Sequence, residues 1–145
     1  MYLLDTNVVS ELRRARIGQS KFGKADRNVL GWATSVPSET MFLSVISILE
    51  LEQGTLSLER RDARQGAMLR VWLDRHVLPA FANRILPVDT TVAVRCAILN
   101  LPDPRSYRDA LIAATALVHG MTVVTRNVRD FETTGVALLN PWQQQ

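Results

Sequence analysis

The sequence predicts an α/β domain in which helices flank a central parallel sheet of four or five short strands. Three observations predict it. Short apolar runs, Tyr2-Leu3-Leu4, Met41-Phe42-Leu43, Ile85-Leu86 and Met121-Thr122-Val123-Val124, recur between longer stretches with helical spacing of apolar residues. Whole helices, not tight turns, separate these runs, which is the spacing of parallel crossovers. The first and last of these runs end abruptly in polar residues, Asp5-Thr6-Asn7 and Thr125-Arg126-Asn127. In open α/β sheets the ligand crevice lies outside the carboxyl ends of the strands.

At 145 residues the chain is expected to be one domain, spanning 1–145, with enough length to bury a substantial core. No apolar run approaches the ~20 residues needed to span a membrane. The N-terminus lacks a basic region followed by a long apolar one, so no secretion signal is expected and the cytoplasm is the expected location. The single cysteine, Cys96, excludes an internal disulfide, and with only His76 and His119 the chain is poor in zinc ligands. Net charge is +3, and fifteen of the seventeen cations are arginine. Arginine's planar fork suits phosphate and carboxylate partners, although arginine enrichment also arises from genomic composition.

In chain order, the first strand feeds a helix over 7–13, and 14–24 reads as a mobile, basic loop. Residues 25–35 carry Val29, Leu30, Trp32 and Ala33 at helical spacing, with Asp26 near the start and Pro37 beyond the end. After the strand 41–43, Ser44 or Ser47 can cap a helix carrying Ile46 to Gly54. On it Glu50 leans back toward the crevice edge, Glu52 points to solvent, and Gly54 either admits a close backbone or merely weakens the helix. Residues 56–81 read as one long helical arm that Pro79 ends. Asp89 looks like the cap of a helix over 90–101, and Cys96 like a core residue. Pro102-Asp103-Pro104 breaks the chain before a small-residue helix, 107–118, that ends at Gly120. A last strand lies within 136–139, and Pro141 onward reads as a tail.

Acids therefore gather at strand ends and helix starts: Asp5, Glu50, Asp109 and Asp130, with Asn127 nearby. Oxygen-only ligands of this kind select hard cations such as Mg²⁺ or Mn²⁺. Several carboxylates brought together without a cation would repel one another. The plain alternatives are a helix-start acid for Asp109 and solvated surface for the arginines 60–64.

Four blocks carry a resemblance. Leu4-Asp5-Thr6-Asn7, Leu49-Glu50-Leu51-Glu52-Gln53-Gly54, Asp109-Ala110-Leu111-Ile112-Ala113 and Val124-Thr125-Arg126-Asn127-Val128-Arg129-Asp130-Phe131 resemble the signature blocks of PIN-domain proteins. The nearest likeness is to the VapC and FitB-like toxins of bacterial type II toxin–antitoxin systems, and it covers essentially the whole chain. The resemblance implies a PIN-like three-layer fold and a Mg²⁺- or Mn²⁺-dependent endoribonuclease. It implies that Asp5, Glu50 and Asp109 are metal-binding acids, with Thr6 and Asn7 holding the first of them and Thr125 hydrogen-bonding at the strand end. The fourth acidic position departs from the pattern. Asp130 is the favoured acid there and Asn127 a polar ligand or water holder, with the reverse assignment open. The resemblance further implies an RNA substrate, a homodimer, and a cognate antitoxin that binds operator DNA. That antitoxin would lay a segment into a groove offered by the helices of 25–35 and 46–81, with Trp32, Leu56 and Trp72 among its apolar positions; the alternative for the tryptophans is core packing.

Three rival readings meet opposition in the residues. A phosphoryl-accepting receiver domain wants a lysine at a late strand end, whereas the only lysines are Lys21 and Lys24. A flap or repair nuclease would carry more acids and more insertions. A catalytically weak PIN module that only binds RNA or a partner protein is opposed by Asp5, Glu50 and Asp109, while Asn127 leaves room for it.

Overall fold

The computed structural model describes residues 1–17 and 25–143. Its five short strands, β1 (Tyr2–Leu4), β2 (Met41–Ser44), β3 (Ile85–Leu86), β4 (Thr122–Val124) and β5 (Leu138–Leu139), form one sheet in the order β3-β2-β1-β4-β5, all parallel. Leu3 and Leu4, Leu43, and Val123 and Val124 are wholly buried on the three middle strands. A strand covered on both faces needs no polar alternation, which is why these runs read as continuous apolar stretches. Leu4, Leu43 and Val124 face one core with Val8, Trp32, Trp72 and Leu73, while Leu3 and Val123 face another with Ile112, Ala113, Ala116 and Phe131.

The helices are α1 (Thr6–Ile17), α2 (Arg27–Ser35), α3 (Val45–Arg61), α4 (Ala63–Trp72), α5 (Leu78–Ala80), α6 (Thr90–Leu99) and α7 (Tyr107–His119). Their starts follow the sequence. Asp26 caps α2 by accepting from the Asn28 and Val29 amides, Ser44 caps α3 through Ile46, and Asp89 caps α6 through Val92. Gly120 ends α7 with φ of 66°, a left-handed conformation that favours glycine. Alanines on α7 are fully buried and let it lie close to the sheet.

Several expectations need correction. Helix α1 runs on to Ile17, so 14–17 is not loop; the rest of the expected basic loop, 18–24, lies outside the described residues. Residues 56–81 are not one arm. Asp62 stops α3 with φ −148° and caps α4 by accepting from the Gln65 amide, so the chain folds back as a hairpin. Gly66 makes the hairpin tight: a Cβ there would lie 2.4 Å from the Glu59 Cα. Gly54, by contrast, has nothing within 4 Å of where a Cβ would be, so it only weakens α3. Glu52 is not solvated alone; Arg70 reaches across the hairpin to Glu52 (2.8 Å) and Glu59 (3.0 Å), and along its own arm to Asp74 (3.4 Å). Pro79 lies in the last turn of the arm, which ends one residue on at Ala80. A π turn, Leu73–Val77, precedes it, with the Leu78 amide bonded to the Leu73 carbonyl, and the widened turn accommodates a residue that has no N–H. Trp32 and Trp72 are core residues, as their alternative reading had it, and Leu56 is exposed. The final strand is shorter than expected, at Leu138–Leu139.

Candidate active site

The strand order reverses at β1, with β2 on one side and β4 on the other, so the crevice opens beyond the ends of β1 and β4. Asp5 ends β1 and Thr125 ends β4. The Asp5 amide continues the ladder by donating to the Val124 carbonyl (2.9 Å). Its carboxylate, only 7% exposed, is fixed by three donors: the Thr6 amide on Oδ1 (2.8 Å), the Thr125 hydroxyl on Oδ2 (2.8 Å) and the Asn7 amide group on Oδ2 (3.3 Å). Burial pushes the Asp5 carboxyl above its ordinary value, and the Thr125 and Thr6 hydrogen bonds oppose that shift. Asn7 also bridges to β4, donating to Thr125 Oγ1 (3.4 Å) and accepting from the Arg126 amide (3.3 Å).

Glu50 arrives from α3. The Thr6 hydroxyl donates to its Oε1 (2.9 Å), and the Arg108 guanidinium lies 3.9 Å from its Oε2 while donating to Gln53 (2.9 Å). Thr6 therefore ties both acids, one through its backbone and one through its side chain. Asp109 comes from the first turn of α7. Its carboxyl is pushed up to about 6, first by burial and then by the negative charges of Asp130, Asp5 and Glu50. The four predicted acids thus act on one another, and Asp130 also raises Asp5.

Asp5, Glu50 and Asp109 line one cleft of about 460 Å³ together with Thr6, Asn7, Arg126, Asn127 and Trp142. Asp130 lies on a 3-10 turn, Val128–Asp130, and with Asp109 lines a neighbouring cleft of about 600 Å³ walled by Leu101, Pro102, Pro104 and Arg105. Asn127 reaches the site through its backbone, its amide donating to Thr125 Oγ1 (3.0 Å). Thr125 is thus a junction, bonded to Asp5, Asn7 and Asn127.

Sequence reasoning missed several lining residues, Glu11, Arg126 and Trp142 among them. Glu11 lies along the same cleft but is engaged in structure, accepting from the Asp26 amide (2.8 Å) and pairing with Arg14 (3.5 Å). Arg126 and Trp142 form its far wall, the guanidinium 5.2 Å from the ring centroid. A lone tryptophan after Pro141 was the available signal, and it read as tail.

Among the described residues, no three histidine, cysteine, aspartate or glutamate side chains form a ready-made metal cage. The donor set nevertheless fits a hard cation. The atoms it offers are carboxylate oxygens, and burial together with their mutual repulsion raises the proton affinity of Asp109, a shift that a divalent ion would relieve.

A parallel five-stranded sheet with carboxylates gathered past its switch point is the arrangement of a PIN domain, and the PIN-domain family model matches residues 2–136, so the chain belongs to that family. Its similarity extends to individual proteins. It is 40% identical to plasmid stability protein StbB of Pseudomonas syringae, 36% to VapC ribonuclease Y4jK of Sinorhizobium fredii and 36% to toxin FitB of Neisseria gonorrhoeae, each covering at least 98% of this chain and 99% of the relative. The solved structure of FitAB bound to an IR36 DNA fragment superposes with a TM-score of 0.86 at 34% identity, covering 100% of this chain and 98% of that one. The expected family and fold are borne out. Among the described residues, no helix is long and apolar enough to cross a membrane.

Proposed function

We propose that this chain is a Mg²⁺- or Mn²⁺-dependent endoribonuclease and the toxin of a type II toxin–antitoxin pair. The observation that carries the reading is the convergence of Asp5, Glu50 and Asp109 on one cleft, with Asp130 close enough to raise the proton affinity of both aspartates. Asp5 and Asp109 would hold the ion, with Glu50 and Asp130 supplying further negative charge beside it. The names VapC ribonuclease and toxin FitB, borne by relatives that match along their whole length, support the same activity.

A bound divalent ion would polarise a phosphodiester and lower the pKa of a water nucleophile. The protein's share is orientation. Thr125, Asn7 and the Thr6 amide hold the Asp5 carboxylate in place, and Thr6 Oγ1 fixes Glu50 against the same edge. Outer partners of this type set the direction and basicity of metal-binding groups. Asp109, protonated below about pH 6 without a cation, would give up its proton on loading.

The partner would be an antitoxin, as the FitAB–DNA structure of a relative supports. A groove of about 350 Å³ runs from Thr6 and Glu50 between α1, α3 and α4, floored by Leu51, Leu58 and Leu69 and edged by Arg14 and Arg61. It suits a segment with apolar anchors and acidic flanks, which would end at the acids. A homodimer in the cytoplasm completes the proposal.

The test is RNA cleavage by purified chain with Mg²⁺ or Mn²⁺ and with EDTA, beside Asp5→Asn. Cutting that needs metal and disappears in Asp5→Asn supports the assignment. Equal cutting by both proteins would overturn it.

A further inference from the structure

We infer that Arg126, held over the Trp142 ring, is the residue that grips a phosphate of the RNA strand beside the reacting one. The inference rests on the RNA-cleaving reading above. Arg126 follows Thr125 at the end of β4, so its backbone is fixed where the carboxylate network is fixed, and its amide donates to Asn7 Oδ1. Its guanidinium carbon lies 5.2 Å from the Trp142 ring centroid, a cation–π contact. That ring is itself anchored. The Trp142 amide donates to Asn140 Oδ1 (3.0 Å), its carbonyl accepts from Asn28 Nδ2 (2.8 Å) at the start of α2, and its side chain packs against the core that holds Trp32 and Leu4.

A cation–π contact leaves a guanidinium's N–H donors free to bond, and that planar fork suits bidentate phosphate recognition. Among the described residues, the Arg126 guanidinium has no hydrogen bond or ion pair; the ring contact alone positions it. The other cations near the acids differ. Arg14 pairs with Glu11, and Arg108 donates to Gln53 beside Glu50. Arg126 is exposed and lines the same cleft as Asp5, Glu50 and Asp109. A strand placed with one phosphate at the carboxylates would therefore bring an adjacent phosphate to this cation. Trp142 is the positioning residue, because its ring meets the Arg126 guanidinium and also packs on the core.

The experiment measures binding of a fluorescent single-stranded RNA to the full chain in EDTA, over a series of salt concentrations, with metal-dependent cleavage followed in parallel. Each phosphate contact to a single strand contributes about −0.7 to the slope of log K against log salt. Arg126→Ala is expected to weaken binding by roughly tenfold and reduce that slope by about 0.7. Arg126→Lys should keep the slope with weaker binding. Trp142→Leu should weaken binding while keeping the slope, and Trp142→Tyr, which restores a stacking face, should recover it. Unchanged affinity and slope in Arg126→Ala would overturn the inference while leaving the nuclease reading in place if cleavage still needs metal and Asp5. Binding that follows this pattern in a chain that never cuts would keep the phosphate grip and remove the nuclease reading. A chain that neither binds nor cuts RNA would remove both.

Discussion

Replacing Asp109 by asparagine should make the metal-free protein more stable at neutral pH. Asp109 has its folded-state pKa raised from 3.8 to about 6 by burial and by Asp130, Asp5 and Glu50. Between those values the folded chain binds more protons than the unfolded one, so stability falls as pH rises through that window and stays lowered above it. That rise corresponds to ~3 kcal/mol at most. Because Asp109 is only partly buried, solvent screening reduces this to about 1–2 kcal/mol. Asparagine keeps the shape and removes the charge, but forfeits ~0.3–1 kcal/mol of favourable interaction with the start of α7. Urea unfolding in EDTA should therefore show Asp109→Asn more stable by about 1 kcal/mol at pH 7.5, with the advantage vanishing near pH 4. Mn²⁺ at a hundredfold excess over its dissociation constant should stabilise the parent by about 2.7 kcal/mol and invert the order. A variant less stable than the parent at pH 7.5 without metal would refute the reasoning and leave Asp109 as an ordinary helix-start acid.

Other substitutions separate packing from function. Gly66→Ala places a methyl group 2.4–2.7 Å from Glu59 backbone and side-chain atoms, and should destabilise the chain by ~1–3 kcal/mol in urea unfolding. Gly54→Ala, with open space around it, should stabilise α3 by ~0.5–1 kcal/mol in the same assay. Thr125→Val removes the donor to Asp5 Oδ2, and calorimetry should show Mn²⁺ affinity reduced by roughly 10–100-fold while circular dichroism stays that of the parent.

Much of the fold was legible because burial on both faces leaves a direct mark on the sequence. Leu3-Leu4 and Val123-Val124 could not be amphipathic if they were to sit in the middle of a covered sheet, and the polar residues after them marked the crevice edge. Caps were legible for the same local reason, as Asp26, Ser44 and Asp89 each satisfy amides within three residues. What was hidden depended on distant partners. Asp62 breaks the long arm because α4 can fold back on Glu59 through Gly66, and neither residue announces a hairpin alone. The π turn before Pro79 is an adjustment of hydrogen bonds with no periodic signature.

The candidate site divides the same way. The types of Asp5, Glu50 and Asp109 pointed to a cation, and the family likeness set them in one place, where the chain indeed gathers them. Asp130 and Asn127 remained alternatives because both follow β4 within a few residues. The structure gives them different surroundings, Asn127 on the cleft with Asp5 and Asp130 on the neighbouring one with Asp109. Trp142 escaped notice because its place beside Arg126 is made by the chain returning past β5, which no spacing in the sequence encodes.

The most direct test of the central claim is the anomalous scattering of Mn²⁺ in crystals of this chain. A single strong peak within bonding distance of Asp5 and Asp109 carboxylate oxygens is the expected result, lost in Asp5→Asn crystals grown the same way. Manganese bound elsewhere, or a peak that survives Asp5→Asn unchanged, would contradict it.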